Sequence, residues 1–296
     1  MMAEGRRMQS IRSPWAATFD QFAGSIRNSA IIAAPFITRA PVERLVAKLG
    51  IRRRSVRLNL LTNLAADNAI SGSLDVGALA WLCERVPNTV VRHLRYLHAK
   101  AYVADERLAI VTSSNLTNGG LYRNHELGLA ITAPPAVKDI VDNLTEYGNL
   151  GVLVPCDDLT DLGMLVRRAQ EQQNFANQFA PGVAGTKYQA IVNRIDERLV
   201  QLRTAGEEFA INPKRSITAQ LADAVKYVLR VQGPLPTSEI NPLVRDLKPE
   251  LCDDEVDRVI NGQSFGKRWK HDVRNAQQQL KRDGLIVLEN RRWRLV

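Results

Sequence analysis

The stretch HAKAYVAD at residues 98–105 indicates the fold and the chemistry of this chain more directly than any other segment. Side chains of a β-strand alternate between the two faces of a sheet, so His98, Lys100 and Tyr102 are expected to share one face. The other face receives the apolar set Ala99, Ala101 and Val103, which is suited to packing against helices. An imidazole and an ammonium that project together from a buried sheet edge need an anion to offset their desolvation. The stretch therefore predicts a β-strand with an anion-binding site.

Polar residues further along the chain complete a set that suits phosphoryl transfer. The segment TSSN at 112–115 follows the next predicted strand and supplies the hydroxyl of Ser113 and the amide of Asn115, and Glu126 begins another strand. A phosphodiester needs a nucleophile, donors around its non-bridging oxygens and an acid for the leaving oxygen. We assign the nucleophile to His98, the phosphate clamp to Lys100 and Asn115, and the orientation of the far nitrogen of His98 to Glu126. The set contains no carboxylate cluster of the kind that holds Mg²⁺, so no metal or other cofactor is expected.

The pattern H-x-K-x4-D, then S-x-N, then a downstream Glu resembles the motif of the phospholipase D superfamily, and the resemblance covers residues 95–126 in detail. It departs from the family pattern at Thr112, where the family usually has glycine. The resemblance implies that the histidine forms a covalent phosphohistidine without a metal. It implies the following roles: nucleophile for His98, phosphate binding for Lys100 and Asn115 with Ser113 assisting, a mainly structural role for Asp105, and support of the histidine for Glu126.

The chain contains this motif once, whereas the family builds its site from two copies. One histidine attacks phosphorus while the other protonates the leaving oxygen. The resemblance therefore implies a two-fold homodimer in which both copies of His98 meet at the interface.

Segments of strand and helix length alternate along the first half of the chain, which predicts an α/β fold: a phospholipase D-like layered mixed sheet with flanking helices. The chain is expected to turn in a hairpin at Asp105-Glu106 and to break at Pro134-Pro135. The predicted strands are 30–37, 56–62, 89–94, 98–104, 108–112 and 125–132, and the predicted helices are 14–29, 42–49 and 76–86.

A change of composition predicts separate domains. Residues 174–187 are rich in Gln, Asn and Gly and contain Pro181, which marks a boundary. We expect a catalytic domain at 1–175, a linker with a connector helix at 176–211, and a smaller DNA-binding domain at 212–296.

The last eighty residues resemble a winged helix-turn-helix, and in particular the N-terminal winged domain of Mrr-type restriction enzymes. The predicted order is a helix from Thr218, a short helix near Ser238, a basic helix at 269–283 and a hairpin at 285–296. An apolar stripe of Trp269, Val273, Ala276 and Leu280 is expected to face the interior of this domain. The residues expected to contact DNA are Lys267, Arg268, Lys270, Arg274, Gln277, Gln278, Lys281, Arg291 and Arg292.

The charge of the chain points in the same direction. The 296 residues include 40 Lys and Arg against 31 Asp and Glu, a formal net charge of +9, which favours a polyanionic partner. The three cysteines lie far apart in the sequence without a C-x-x-C pair, which argues against a zinc site and a disulfide framework and favours a reducing cytoplasm. The polar, basic N-terminus does not read as a secretory signal, and no stretch is apolar enough to span a membrane, so no membrane partner is expected.

Together these features predict a metal-independent endonuclease of restriction type that acts on double-stranded DNA as a homodimer. Two alternatives share the chemistry, a DNA repair phosphodiesterase and a non-specific nuclease. A phospholipase is less favoured because lipid enzymes of the superfamily usually carry two motifs in one chain or a membrane segment. A non-catalytic DNA-binding regulator is disfavoured because the motif is intact.

Overall fold

A computed structural model describes residues 7–179, 184–205, 216–260 and 263–296. The chain divides into two compact units, Met1–Gly206 and Glu207–Val296. The predicted linker at 176–211 spans this division. Its residues 180–183 and 206–211 lie outside the described residues, as do 212–215 of the predicted C-terminal domain.

The first unit is built on one eight-stranded mixed sheet with the order β1-β7-β6-β5-β2-β3-β4-β8. Strand β2 pairs in parallel with β3, and β3 pairs in parallel with β4, whereas every other neighbouring pair is antiparallel. The strands are β1 (Met8–Arg12), β2 (Ser29–Ala33), β3 (Arg57–Thr62), β4 (Thr89–His93), β5 (Ala101–Ala104), β6 (Leu108–Thr112), β7 (Leu127–Ile131) and β8 (Val152–Val154).

Helices cover both faces of this sheet, because its central strands are apolar on both sides. The larger core lies against α1 to α4, α6 and α7 and contains Phe19, Phe22 and Tyr102, all fully buried. The smaller core on the opposite face is formed by α5 with Ala101 and Val103. The helices are α1 (Ala16–Ser25), α2 (Arg39–Leu49), α3 (Ala66–Ile70), α4 (Val76–Arg85), α5 (Pro134–Leu150), α6 (Cys156–Phe179) and α7 (Ala184–Ala205). The predicted α/β class with a layered mixed sheet is confirmed.

Helix α5 is missing from the sequence prediction, which treats Pro134-Pro135 as a break. The prolines instead occupy the first turn of the helix, where their missing N–H groups have no helical partner to lose. Val137, Val141 and Leu144 then follow at helical spacing and pack onto the second face of the sheet.

The expectation that the cysteines form no disulfide is wrong. Cys83 on α4 and Cys156 at the start of α6 are bonded, with Cα atoms 5.9 Å apart across 73 residues of sequence. Sequence separation says nothing of distance in space, and α4 packs directly on α6. The cysteine pattern therefore gives no support to a reducing compartment.

The described residues of the second unit form three α-helices and two hairpins. They are α8 (Ile217–Gln232), α9 (Thr237–Leu247), the hairpin of β9 (Asp257–Ile260) and β10 (Gln263–Lys267), α10 (Arg268–Arg282), and the hairpin of β11 (Ile286–Glu289) and β12 (Arg292–Leu295). Helix α10 packs on α8, and Trp293 of β12 pairs with Leu235 before α9. In both units, none of the helices described is long and apolar enough to cross a membrane.

Candidate active site

Five of the six predicted site residues lie next to strand ends at one edge of the eight-stranded sheet. Strand β5 begins at this edge, and because β6 and β7 alternate in direction, β6 ends there and β7 begins there. Strand β2 runs antiparallel to β5 and ends at the same edge with Ala33, opposite Ala101. Strand direction therefore brings together residues that the sequence separates, namely His98, Lys100, Ser113, Asn115 and Glu126.

His98 and Lys100 precede strand β5, which begins at Ala101, so the predicted strand is three residues too long. The alternation nevertheless extends to Lys100, because its carbonyl accepts the backbone N–H of Thr112 at 3.1 Å. The Lys100 ammonium donates to the carbonyl of His98 at 2.8 Å, and its Nζ lies 3.4 Å from Nε2 of His98. The His98 side chain is exposed. Burial lowers the pKa of the Lys100 ammonium, and the Glu126 carboxylate opposes that effect.

Glu126 forms a hydrogen bond with Ser113. Its carboxylate accepts hydrogen bonds from the Ser113 hydroxyl and, at 3.1 Å, from the amide of Asn124. Its backbone N–H donates to the hydroxyl of Ser13, which follows β1, at 2.6 Å. Within the residues that the structure describes, no hydrogen bond joins Glu126 to His98. These hydrogen bonds therefore give no support to the prediction that Glu126 holds the far nitrogen of His98. The Glu126 carboxylate favours the charged form of Lys100 instead, against the effect of burial on its pKa.

Asn115 is oriented by the backbone after β2. Its Oδ1 accepts the N–H of Phe36 at 3.3 Å, so the amide presents its NH₂ group as the available donor. The turn that carries Asn115 is held to the core, because the buried hydroxyl of Tyr102 donates to the carbonyl of Ser114 at 3.0 Å. Tyr102 shares the alternation of His98 and Lys100 but packs against Trp15 and Phe19 in the core.

Thr112, which departs from the glycine of the family pattern, fits because its partner across the ladder is Gly128. A Cβ on Gly128 would lie 2.7 Å from Cβ of Thr112 and 2.8 Å from the carbonyl oxygen of Val111. The Thr112 hydroxyl donates to the carbonyl of Leu127 and accepts the N–H of Ser114, both at 3.2 Å. The close approach of β6 and β7 at this pair needs one small residue, and Gly128 on β7 is that residue. The threonine stabilises the turn through its two hydrogen bonds.

Asp105 lies at the opposite end of β5 from Lys100, about 16 Å away for five extended residues. Its carboxylate accepts the backbone N–H groups of Arg27, Asn28 and Ser29 at 2.7, 2.7 and 2.8 Å. Burial raises the pKa of Asp105, but these backbone donors together outweigh it and hold the pKa below its usual value. These contacts are consistent with the mainly structural role that the resemblance implies: Asp105 connects the β5–β6 turn to the segment before β2.

Residues 22–147 match the family model described as the phospholipase D-like domain of cardiolipin synthase. Over these residues the first unit is similar to a phospholipase D-like domain. Solved structures with similarity to the chain include the phospholipase D family member Nuc from Salmonella typhimurium (17% identity, 50% of this chain, 97% of that chain, TM-score 0.42) and NucT from Helicobacter pylori (16%, 50%, 98%, 0.42). Phosphatidylserine synthase from Haemophilus influenzae Rd KW20 is similar at 17% identity over 57% of this chain and 45% of that chain, with a TM-score of 0.46. No curated protein matches the chain significantly.

Contacts of three residues around this site are absent from the sequence prediction. Ser13 holds Glu126 through its hydroxyl and its backbone N–H, Phe36 holds Asn115 through one hydrogen bond, and Asn124 holds Glu126 through one. The only signal for Asn124 is its polar position just before Glu126, and no signal marks Ser13 or Phe36, because strand order decides which segments meet. His93 is buried, and its Nδ1 accepts the N–H of Leu64 at 3.0 Å.

In the second unit, α10 presents a basic surface beside its buried stripe. Trp269, Val273, Ala276 and Leu280 are buried as predicted. Gln277, predicted to contact DNA, is 1% exposed and its Oε1 accepts the hydroxyl of Thr237 at 3.3 Å, which corrects that assignment. The buried stripe is one residue wider than the sequence interpretation allows, because Gln277 follows Val273 by one helical turn.

The other residues predicted to contact DNA differ in how they are held. Lys267 forms an ion pair with Asp257 at 2.9 Å, and Arg292 donates to the carbonyl of Pro234 at 3.1 Å. The remaining six are exposed: Arg268, Lys270, Arg274, Gln278, Lys281 and Arg291.

Proposed function

We propose that this protein is a phosphodiesterase that cleaves DNA through a covalent phosphohistidine on His98. The observation that carries the proposal is the contact between Lys100 Nζ and His98 Nε2, at 3.4 Å. A protonated lysine donates only, so this contact favours a neutral imidazole with its lone pair on Nε2 and its proton on Nδ1. The nucleophilic nitrogen therefore lies beside the cation that would hold the phosphate.

The proposed reaction proceeds in two balanced steps. Nε2 of His98 attacks phosphorus, a P–N bond forms, and the bond to the leaving oxygen of the DNA strand breaks as that oxygen takes a proton. Water then attacks phosphorus and gives its proton to a base, the P–N bond breaks, and Nε2 regains its lone pair. The Lys100 ammonium and the Asn115 amide donate to the non-bridging oxygens in both steps, so the positive charge at the phosphate comes from the protein.

The proton for the leaving oxygen requires a second imidazole, and we propose that the partner subunit's His98 supplies it. Lysine is a poor donor near neutral pH, whereas histidine titrates close to it. The sequence has no second H-x-K motif, so a two-fold homodimer is the arrangement that completes the site. The same imidazole accepts the proton of the attacking water in the second step.

DNA is proposed as the substrate because of the surface of the second unit. Its helix order, its basic α10 and its C-terminal hairpin support a winged helix that binds duplex DNA. Exposed cations and a glutamine on α10, among them Lys270, Arg274 and Gln278, suit phosphates and base edges. Separate binding and cleavage units favour a restriction-type endonuclease over a DNA repair phosphodiesterase or a non-specific nuclease.

The test is cleavage of plasmid DNA in excess EDTA, beside phosphatidylcholine vesicles under the same conditions. We expect cleavage of DNA and no release of phosphatidate, with His98→Ala inactive but still able to bind DNA. His125→Ala is the matched control, since this exposed histidine lies outside the proposed machinery. Discrete fragments would support a restriction-type enzyme and a smear a non-specific nuclease. Activity that disappears in EDTA and returns with Mg²⁺ would refute the mechanism, and cleavage of lipid alone would refute the substrate.

The shared site is tested by mixing subunits. Equal amounts of wild-type and His98→Ala protein give about a quarter wild-type dimers if exchange is random. Because heterodimers lack one of the two histidines, activity should fall to about a quarter of that of the unmixed enzyme. A value near one half would show that each subunit works alone.

A further inference from the structure

The turn just before His98 holds an exposed tyrosine at the active edge of the sheet. Tyr96 is 73% exposed, and its side chain is more exposed than that of any other aromatic residue the structure describes. It lies two residues before His98, so the two Cα atoms are at most about 7 Å apart. An aromatic ring this close to the proposed nucleophile is within reach of a group attached to the reacting phosphate.

The turn that carries Tyr96 is fixed to the domain on both sides. Leu97 is buried in the core beneath α5, and its N–H donates to the carbonyl of Leu94 at 3.1 Å. The carbonyl of Arg95 accepts the amide of Asn63, which follows β3, at 2.6 Å. The backbone around Tyr96 is therefore anchored while its ring remains exposed, an arrangement that contributes nothing to the core.

The chemistry of this turn favours one kind of ligand. The guanidinium of Arg95 lies 5.4 Å from the centre of the Tyr96 ring, so a cation covers part of the aromatic surface. Exposed aromatic rings beside cations bind nucleic acid by stacking on bases while the cation holds the backbone. A lipid headgroup offers a phosphate but no flat ring to stack.

We infer that Tyr96 stacks on the nucleobase next to the scissile phosphate and that Arg95 binds the adjoining backbone. This inference rests on the proposed function and names the part of the substrate that the phospholipase D-like domain recognises. A base can stack on Tyr96 only after it leaves its own stack, so cleavage is faster where that nucleotide is unpaired.

The test compares a short single-stranded oligonucleotide with an oligonucleotide of the same length in which every base is replaced by a tetrahydrofuran abasic unit. Backbone charge is equal in the two, and only the first offers bases. We expect Tyr96→Ala to lower kcat/KM on the normal oligonucleotide by about 5- to 100-fold, mainly through KM, and to leave the abasic oligonucleotide unaffected. Tyr96→Phe should retain activity because the ring remains.

Tyr122→Ala is the matched control, because Tyr122 is also exposed and lies 5.7 Å beneath an arginine, but its hydroxyl is tied to that arginine, Arg44. An unchanged kcat/KM in Tyr96→Ala, or an equal loss on both oligonucleotides, would overturn the inference while the proposed function stands. If the wild-type protein cuts no DNA, the proposed function fails. The dissociation constants of wild type and Tyr96→Ala for the two oligonucleotides then decide the inference: a loss confined to the normal one supports it, and no difference overturns it.

Discussion

Replacing Asp105 should lower the stability of the protein without lowering the activity of the folded fraction. Its carboxylate accepts three backbone N–H groups at 2.7, 2.7 and 2.8 Å, at the end of β5 that lies away from His98. Asp105 also has a positive φ of 50°, a conformation that Asp and Asn adopt more readily than alanine. The two effects can be separated, because Asp105→Asn keeps the backbone preference and loses the charge.

The magnitude follows from the number and exposure of these hydrogen bonds. A hydrogen bond to a charged group contributes about 1.5–3 kcal/mol, but solvent screening reduces this for exposed pairs. For the three bonds together we expect Asp105→Asn to lower the free energy of unfolding by about 2 kcal/mol, and Asp105→Ala by about 3 kcal/mol. For a domain of about 150–250 residues this corresponds to a decrease in Tm of about 4–12 °C.

Calorimetry and DNA cleavage below the transition provide the two measurements. Burial raises the pKa of Asp105, but the backbone donors lower it by more, so the pKa lies below its usual value. The stabilisation is therefore complete above the unfolded-state pKa of about 3.9 and is lost as pH falls through the lower folded-state value. The difference between wild type and Asp105→Asn should shrink below about pH 4. Glu106→Gln, in the same turn, is the control. Unchanged stability, or lost activity in fully folded Asp105→Asn, would refute this account of Asp105.

Three further predictions concern the ladder, the clamp and the basic helix. Gly128→Ala should destabilise the protein by about 1–3 kcal/mol in chemical denaturation, because the new Cβ meets a backbone carbonyl at 2.8 Å; an unchanged midpoint would contradict the close approach. Glu126→Gln should move the alkaline limb of the pH–rate profile to lower pH, because the carboxylate opposes the effect of burial on the pKa of Lys100; no shift would remove that role. Arg274→Ala should reduce the slope of log affinity against log salt for duplex DNA by about one, whereas Gln277→Ala should not; equal slopes for all three proteins would place Arg274 away from the phosphates.

Short sequence patterns predict most of the central sheet, because strand alternation and tight turns depend on residues that are neighbours in the sequence. The alternation from Ala99 to Val103 predicts which side chains meet α5, and the structure confirms it. The hairpin at Asp105-Glu106 forms with both residues at positive φ, as a tight turn between paired strands requires. The spacing of the phospholipase D pattern specifies residues that the strand directions then bring to one edge.

Other features depend on contacts between distant segments and leave little trace in the sequence. The bond between Cys83 and Cys156 requires that α4 and α6 pack together, which neither cysteine indicates. Glu126 binds the Ser113 hydroxyl, which also accepts the N–H of Leu127 at 3.2 Å. This contact depends on the pairing of β6 with β7, which the sequence does not specify. The prediction that Gln277 contacts DNA is wrong because its side chain is buried and accepts a hydrogen bond from Thr237, a partner that the sequence of α10 does not reveal.

The proposed mechanism depends on the charge of the Lys100 ammonium. The ammonium lies where burial disfavours its charge, and the nearby carboxylate of Glu126 partly restores it. A phosphate bound beside His98 adds a second anion and stabilises the charged lysine further, so binding of the substrate and protonation of the clamp favour each other. Glu126 need not touch the nucleophile to matter for the reaction. The His98 side chain is exposed, as the proposed site shared with a second copy needs.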